Sequence, residues 1–160
     1  MTATTVTGDI APPIFVDLQG FVVNERFVTK EMAILANGRD LTHHVFRAPM
    51  LWNLLTHAKQ IVRDAIYCAS RDLESNAAVT IYVKGREKKK WLTDIAGEVA
   101  EQRNLTIETI DVDYEDIGPL RTLATIRIYR CGYHSKNCAL ENVCKLHNWW
   151  LERRDQLRDI

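Results

Sequence analysis

Five of the nine cysteine and histidine residues fall between Cys131 and His147. They form the pattern C-x2-H-x3-C-x5-C-x2-H. Zinc takes four nitrogen, sulfur or oxygen ligands in a tetrahedron, and a C-x2-H turn presents two of them from one loop. Cys131 and His134 make such a turn. Cys138 falls at the start of the last expected helix, where the helix dipole favours the thiolate that binds metal. Cys131, His134 and Cys138 are thus the nucleus of a structural metal site, with zinc as the ion. The spacing leaves the fourth ligand open. Cys144 and His147 are within reach, but both sit on the apolar stripe of that helix, as packed side chains do.

A second chemistry is suggested by Asp17 in IFVDLQGF. Its carboxylate is a ligand type that a hard divalent cation takes. Two-metal phosphoryl chemistry needs several carboxylates around one phosphate. Two positions on stands Gln19, neutral and a poor ligand for a hard cation. The run IDVDYED supplies further carboxylates at Asp111, Asp113 and Glu115 for a displaced site.

The densest basic run is KGREKKK, with Lys84, Arg86, Lys88, Lys89 and Lys90. It follows a strand and opens a helix. It is either a phosphate-contact patch at a helix N-terminus or a solvated helix face. Trp149 and Trp150 are adjacent, so one should point away from the core, where it can stack a base or fill a partner's groove. His43 and His44 should face opposite sides of a strand, one of them exposed, with no visible partner. Cys68, late in a helix, reads as core.

These residues need elements to position them. Ile14–Leu18 reads as a buried strand that Gly20 breaks. Phe21–Val23 and Phe27–Leu35 are strand material around a turn at Asn24-Glu25. Asn37-Gly38 signals a second hairpin, with Thr42–Phe46 returning. From Met50 to Ala69 apolar residues recur every three or four positions, an amphipathic helix. Residues 78–83 (AVTIYV) form a strand, Glu87–Gln102 a helix, Leu105–Val112 a strand, and Glu115–Ala124 a short helix. Thr125–Arg130 either extends that helix or is extended. Ala139–Leu157 is the last helix. Three strands in a meander followed by alternating helices and strands predict an α/β domain with a mixed sheet flanked by helices. Residues 1–13 read as a flexible arm, and 14–157 as one domain.

Charge balances, with 21 Lys+Arg against 21 Asp+Glu. Attraction to nucleic acid is therefore local where it exists. No secretory signal and no apolar run of roughly 18 residues is visible. A reducing, cytoplasmic or nuclear setting follows, with thiols rather than disulfides and no membrane partner.

Taken together, Ile14 to Trp150 resembles the DEDDh exonuclease division of the RNase H-like fold. IFVDLQGF…FVTKEMAIL…HHVFRAP resembles its opening hairpin, VTIYVKGREKKKWL its second acidic motif, and CGYHSKNCALENVCKL its last helix. The family pattern H-x-A-L-x-D-A laid on NCALENV puts Asn137 at the catalytic His position and Asn142 at the last Asp position. Lys84-Gly85 stands where an acid-bearing turn is expected. Of the family's four acids and one histidine, only Asp17 matches, and a lone carboxylate cannot assemble a two-metal site. The resemblance implies the fold without the exonuclease activity.

One branch is similar in a further respect. The Maelstrom domain of the piRNA pathway resembles an exonuclease without its catalytic acids and carries a Glu-Cys-His-Cys zinc site. The matching residues are Glu31 in FVTKEMAIL, Cys131 and His134 in CGYH, and Cys138 in NCAL. The resemblance thus implies Glu31 as fourth ligand, and a role in binding single-stranded RNA or a protein partner in small-RNA silencing. Two alternatives stand beside it: an active metal-dependent RNA nuclease with displaced acids, and a protein-interaction scaffold.

Overall fold

The computed structural model describes residues 11–46, 52–71, 73, 77–102, 104–124 and 138–158. Three strands come first: β1 (Ile14–Val23), β2 (Arg26–Ala36) and β3 (Asp40–Val45). Then α1 (Trp52–Ser70), β4 (Val79–Val83), α2 (Arg86–Gln102), β5 (Leu105–Thr109) and α3 (Ile110–Asp113) follow. A 3-10 turn at Leu120–Thr122 precedes α4 (Ala139–Arg158). One five-stranded mixed sheet runs β3-β2-β1-β4-β5. The first three strands are an antiparallel meander, and β4 and β5 run parallel to β1. The chain is an α/β domain.

The turns follow from their residues. Asn24 and Glu25 (φ 50° and 64°) join β1 to β2, and Asn37 and Gly38 (φ 55° and 69°) join β2 to β3. The first is a two-residue turn, whose positive φ values match the right-handed twist of paired strands. The second spans three residues, with Arg39 completing it, and Asn and Gly enter the positive-φ region cheaply.

Alternation along the strands divides the interior in two. Ile14, Val16, Leu18, Met32 and Ile34 point to one face, against Val62 and Ile66 of α1 and Leu92 and Ile95 of α2. Phe15, Ala33, Leu35 and Tyr82 point to the other, against Ala139, Val143 and Leu146 of α4. Asp17, Gln19 and Glu31 share the α4 face by the same parity. The chain is anchored from Ala11, a buried residue whose N–H donates to the Ala78 carbonyl at 2.9 Å. No helix among the described residues is long and apolar enough to cross a membrane.

Three expectations are corrected. Gly20 does not break β1. The strand continues to Val23, with a register shift between Gln19 and Gly20. A Cβ on Gly20 would stand 1.9 Å from the Val28 carbonyl oxygen, so glycine lets the two backbones close at the bulge. The strand expected over Leu105–Val112 stops at Thr109, and Ile110–Asp113 turns helical, burying Ile110 in the second core. The helix expected over Glu115–Ala124 is a turn followed by the short 3-10 segment. Pro119 supplies no N–H and biases Gly118 away from helical geometry. The segment 125–130 lies outside the described residues.

Candidate functional site

Asp17 lies on β1 just past the point where β1 and β4 part. Their pairing comprises Ile14↔Ile81 and Phe15↔Tyr82. In open α/β sheets, sites form at the carboxyl ends of parallel strands. The Asp17 side chain is fully buried. Its Oδ1 accepts from Lys88 Nζ at 2.6 Å. Its Oδ2 accepts from Gln19 Nε2 at 2.7 Å and from Asn142 Nδ2 at 2.9 Å. One ammonium and two amides thus satisfy a carboxylate that water cannot reach, as a buried charge requires.

Each donor arrives on a different element. Gln19 is two residues along the same strand, so it shares Asp17's face. Asn142 stands on the first turn of α4, whose start is set by the Asn142 N–H to Cys138 carbonyl bond at 3.0 Å. Gly85, at φ 112°, makes the turn from β4 into α2, and Lys88 follows on the first turn of that helix. Gln19 and Asn142 are the residues standing at acid positions of the exonuclease pattern, and they meet Asp17 here. A cation would find one carboxylate already neutralised by Lys88.

The basic run is mostly spent internally. Lys84 pairs with Asp111 at 2.5 Å, Lys88 with Asp17, and Lys89 with Glu108 at 2.9 Å. The Lys89 ammonium and the Thr109 N–H hold the Glu108 carboxyl below the usual carboxylate range. Arg86 and Lys90 are exposed and make no ion pair among the described residues. Of the acids considered for a displaced site, Asp111 is taken by Lys84. Asp113 accepts from the Tyr82 hydroxyl at 2.5 Å, and Glu115 is exposed. Burial first, then the bond to Asp113, pushes the Tyr82 hydroxyl pKa far up. Among the described residues, no three His, Cys, Asp or Glu side chains gather to hold a metal.

Cys131 and His134 lie outside the described residues. Glu31 and Cys138, the other two expected ligands, are both buried. Glu31 Oε1 accepts from the Ala139 N–H at 3.0 Å, 108 residues away. Ala139 directly follows Cys138, so the Glu31 carboxylate reaches the start of α4. Carboxylate and thiolate are both ligand types that zinc takes. Cys144 is buried in the second core, and His147 packs edge-on against Phe15 with ring centroids 5.6 Å apart. Burial, then the Arg154 charge, pushes the His147 pKa down.

One member of this site escaped the sequence reading. His43 Nε2 is 2.7 Å from Glu31 Oε1. Neither His43 nor His44 is exposed: His44 is half-buried against His57, at 6.0 Å between ring centroids. The signal was in the hairpin. With Asn37, Gly38 and Arg39 in the turn, Ala36 faces Asp40 and Ala33 faces His43. Glu31, two residues before Ala33, is then the diagonal neighbour of His43 on one face.

Two other expectations are corrected. Trp149 and Trp150 both pack on the second core, and neither is exposed. Trp149 meets the Tyr114 ring edge-on at 5.6 Å, and Trp150 Nε1 donates to the Tyr114 hydroxyl at 3.1 Å. Cys68 is exposed rather than core, because α1 buries its Ala58, Val62, Ile66 and Ala69 stripe instead. No protein-family model, curated protein or solved structure matches the chain.

Proposed function

We propose that this chain is a catalytically degenerate RNase H-like domain of the exonuclease type, similar to the Maelstrom domain. In this reading it carries a structural zinc and binds single-stranded RNA. The observation that carries it is the saturation of Asp17. Two amides stand where the exonuclease pattern has carboxylates, and an ammonium neutralises the one acid that remains. A sheet that places the acid-bearing strand at its centre, between an antiparallel meander and parallel strands, supports the same reading.

Glu31, Cys131, His134 and Cys138 would hold the zinc, which when bound supplies a cross-link between β2 and the start of α4. The meeting of Glu31 with the Cys138–Ala139 segment supports that set. For RNA, Arg86 and Lys90 are the residues of the 84–90 basic run left for phosphate. Small-RNA silencing as the setting rests on the resemblance.

The test is a gel shift of labelled single-stranded RNA over a salt series. Wild type is expected to bind at low salt, and Arg86→Glu/Lys90→Glu to bind more weakly. Losing two phosphate contacts lowers the log–log salt slope by about 1.4. Absence of a shift at low salt refutes the RNA reading. RNA cleavage with Mn²⁺ that Asp17→Ala abolishes refutes the degenerate one.

A protein-interaction scaffold is the second reading. It is favoured by Phe21, Val22 and Val23, which are 47%, 60% and 44% exposed in succession at the end of the first hairpin.

A further inference from the structure

We propose that the groove between the first hairpin and α2 takes one base of single-stranded RNA, stacked on Trp91, and favours a base with an exocyclic amine; this rests on the RNA reading above. The groove exists because β1 outruns β4. Their pairing ends at Phe15↔Tyr82, while β1 continues with β2 to the turn at Asn24-Glu25. α2 starts directly after β4 and faces the projecting hairpin across a cavity of about 540 Å³. The floor is apolar and aromatic, with Val22 and Phe27 from the hairpin and Trp91 from α2. Phe27 and Trp91 are half-buried and packed on the first core, so both are held in place before anything binds. An aromatic side chain fixed in a groove is a stacking platform for a base.

The rim carries charge that the fold has not used. Lys90 and Arg26 line the groove, and Arg86, four residues before Lys90, extends the same side of α2. Glu87 and Asp94 line it from the helix, spaced about Trp91 so as to share its face, and Glu25 lines it from the turn. None of these charged groups makes an ion pair or a side-chain hydrogen bond among the described residues. Lys84, Lys88 and Lys89, by contrast, are all paired. The cations suit phosphate on either side of a bound base. Three acids keep phosphate out of the groove itself. Carboxylates only accept hydrogen bonds, so at the base they suit an amine, as on cytosine N4 or adenine N6, where uracil presents an oxygen.

The test is binding of labelled oligocytidine and oligouridine of about 12 nucleotides to the full chain over a salt series. Wild type should bind oligocytidine more tightly. Trp91→Leu, which keeps an apolar side chain toward the core, should weaken oligocytidine about 5- to 150-fold, the loss of one stacked base, with the salt slope unchanged. Glu87→Gln/Asp94→Asn should remove the preference for cytidine. Ultraviolet cross-linking of oligocytidine to wild type, mapped by mass spectrometry, needs no variant and should place adducts on Trp91 or Phe27. Unchanged oligocytidine binding in folded Trp91→Leu, or adducts only elsewhere, overturns the groove and leaves the RNA reading standing. Equal affinity of wild type for the two oligomers overturns the choice of base. Dimerisation that Val22→Asp abolishes, with RNA binding intact, gives the groove to a second copy and overturns the proposal. A wild-type chain that binds neither oligomer at low salt overturns the RNA reading, and the proposal with it.

Discussion

Substituting Lys88 with methionine removes the counter-charge of Asp17 while keeping most of the side chain's volume. The ammonium stands 2.6 Å from Oδ1, and the carboxylate is 0% exposed against 18% for the lysine side chain. At an effective dielectric constant of about 20 the gross attraction at that distance is about 6 kcal/mol. Desolvation of the carboxylate offsets much of it, so the net worth of the pair is small. The cost of breaking it is not, because an uncompensated buried charge is left behind, at about 3–5 kcal/mol. Gln19 and Asn142 still donate to Oδ2, which places the expected loss near the lower end, about 3 kcal/mol. For a chain of this size that lowers Tm by about 6–12 °C.

The partner mutation sharpens the expectation. Asp17→Asn leaves the ammonium without its carboxylate, but the lysine has an edge to water. It should cost less than Lys88→Met. The double variant Asp17→Asn/Lys88→Met should cost well under the sum of the singles, because neither charge then remains. Urea unfolding at neutral pH of the four proteins gives the coupling energy, with exposed Lys59→Met as the surface control. A Lys88→Met cost below about 1 kcal/mol, equal to that of the control, would refute the reasoning: Asp17 would then not depend on Lys88 for its charge.

Restoring acids with Gln19→Glu/Asn142→Asp sets three carboxylates around one ammonium. Stability measured in chelator should fall, and Mn²⁺ at about 100 times its Kd should return about 2.7 kcal/mol, whereas manganese-independent unfolding would show that these positions do not converge on a cation. Gly20→Ala should cost at least about 2 kcal/mol by urea midpoint, since its Cβ meets the Val28 carbonyl oxygen at 1.9 Å, and a neutral outcome would mean the bulge relaxes freely. His147 is held below its ordinary value of 6.5 by burial and Arg154, and His44 by burial, His57 and His43. Below about pH 6.5 the unfolded chain therefore takes up protons that the folded one resists, so stability falls as pH drops from 7.5 to 5.5; His147→Gln should flatten that slope in urea midpoints taken across the range.

The meander was legible because its signals are local. Asn37-Gly38 carries its own turn, and Phe15 alternates with Val16 and Asp17 with Leu18 in the period of a strand. Asp17, Gln19 and Asn142 could be connected only through the resemblance, since β1 and α4 stand 125 positions apart at the Asp17–Asn142 bond. Lys88 was legible as a positive charge but not as a buried counter-ion. That role depends on where the Gly85 turn aims α2, which charge patterning along one helix cannot report. Thr106, Ile107 and Glu108 alternate like a strand, and nothing in that alternation announced that Ile110 would begin a helix to reach the second core. Pro119 is a helix breaker inside the Glu115–Ala124 stretch, and there the chain forms a turn and a short 3-10 segment instead.

Glu31 and the Asp17 cluster belong to one stretch of sheet. Gln19, which bonds Asp17, is the direct cross-strand partner of Glu31. Across the interface, Ala139 and Asn142 are three residues apart, one turn of α4. The helix is therefore clamped to the α4 face of the sheet by two adjacent polar contacts: Glu31 to the Ala139 N–H, and Asp17 to the Asn142 amide. Apolar packing by Val143 and Leu146 fastens α4 to the sheet but tolerates sliding, because it is non-directional. Hydrogen bonds to two buried carboxylates do not, since a shift of one residue takes a donor from each of them. Neutral amides serve that purpose better than acids would. A carboxylate at position 19 or 142 would repel Asp17 and need a cation to hold the helix down, whereas Gln19 and Asn142 hold it with none. The amides of Gln19 and Asn142 thus satisfy Asp17 and give the sheet and its last helix a fixed register.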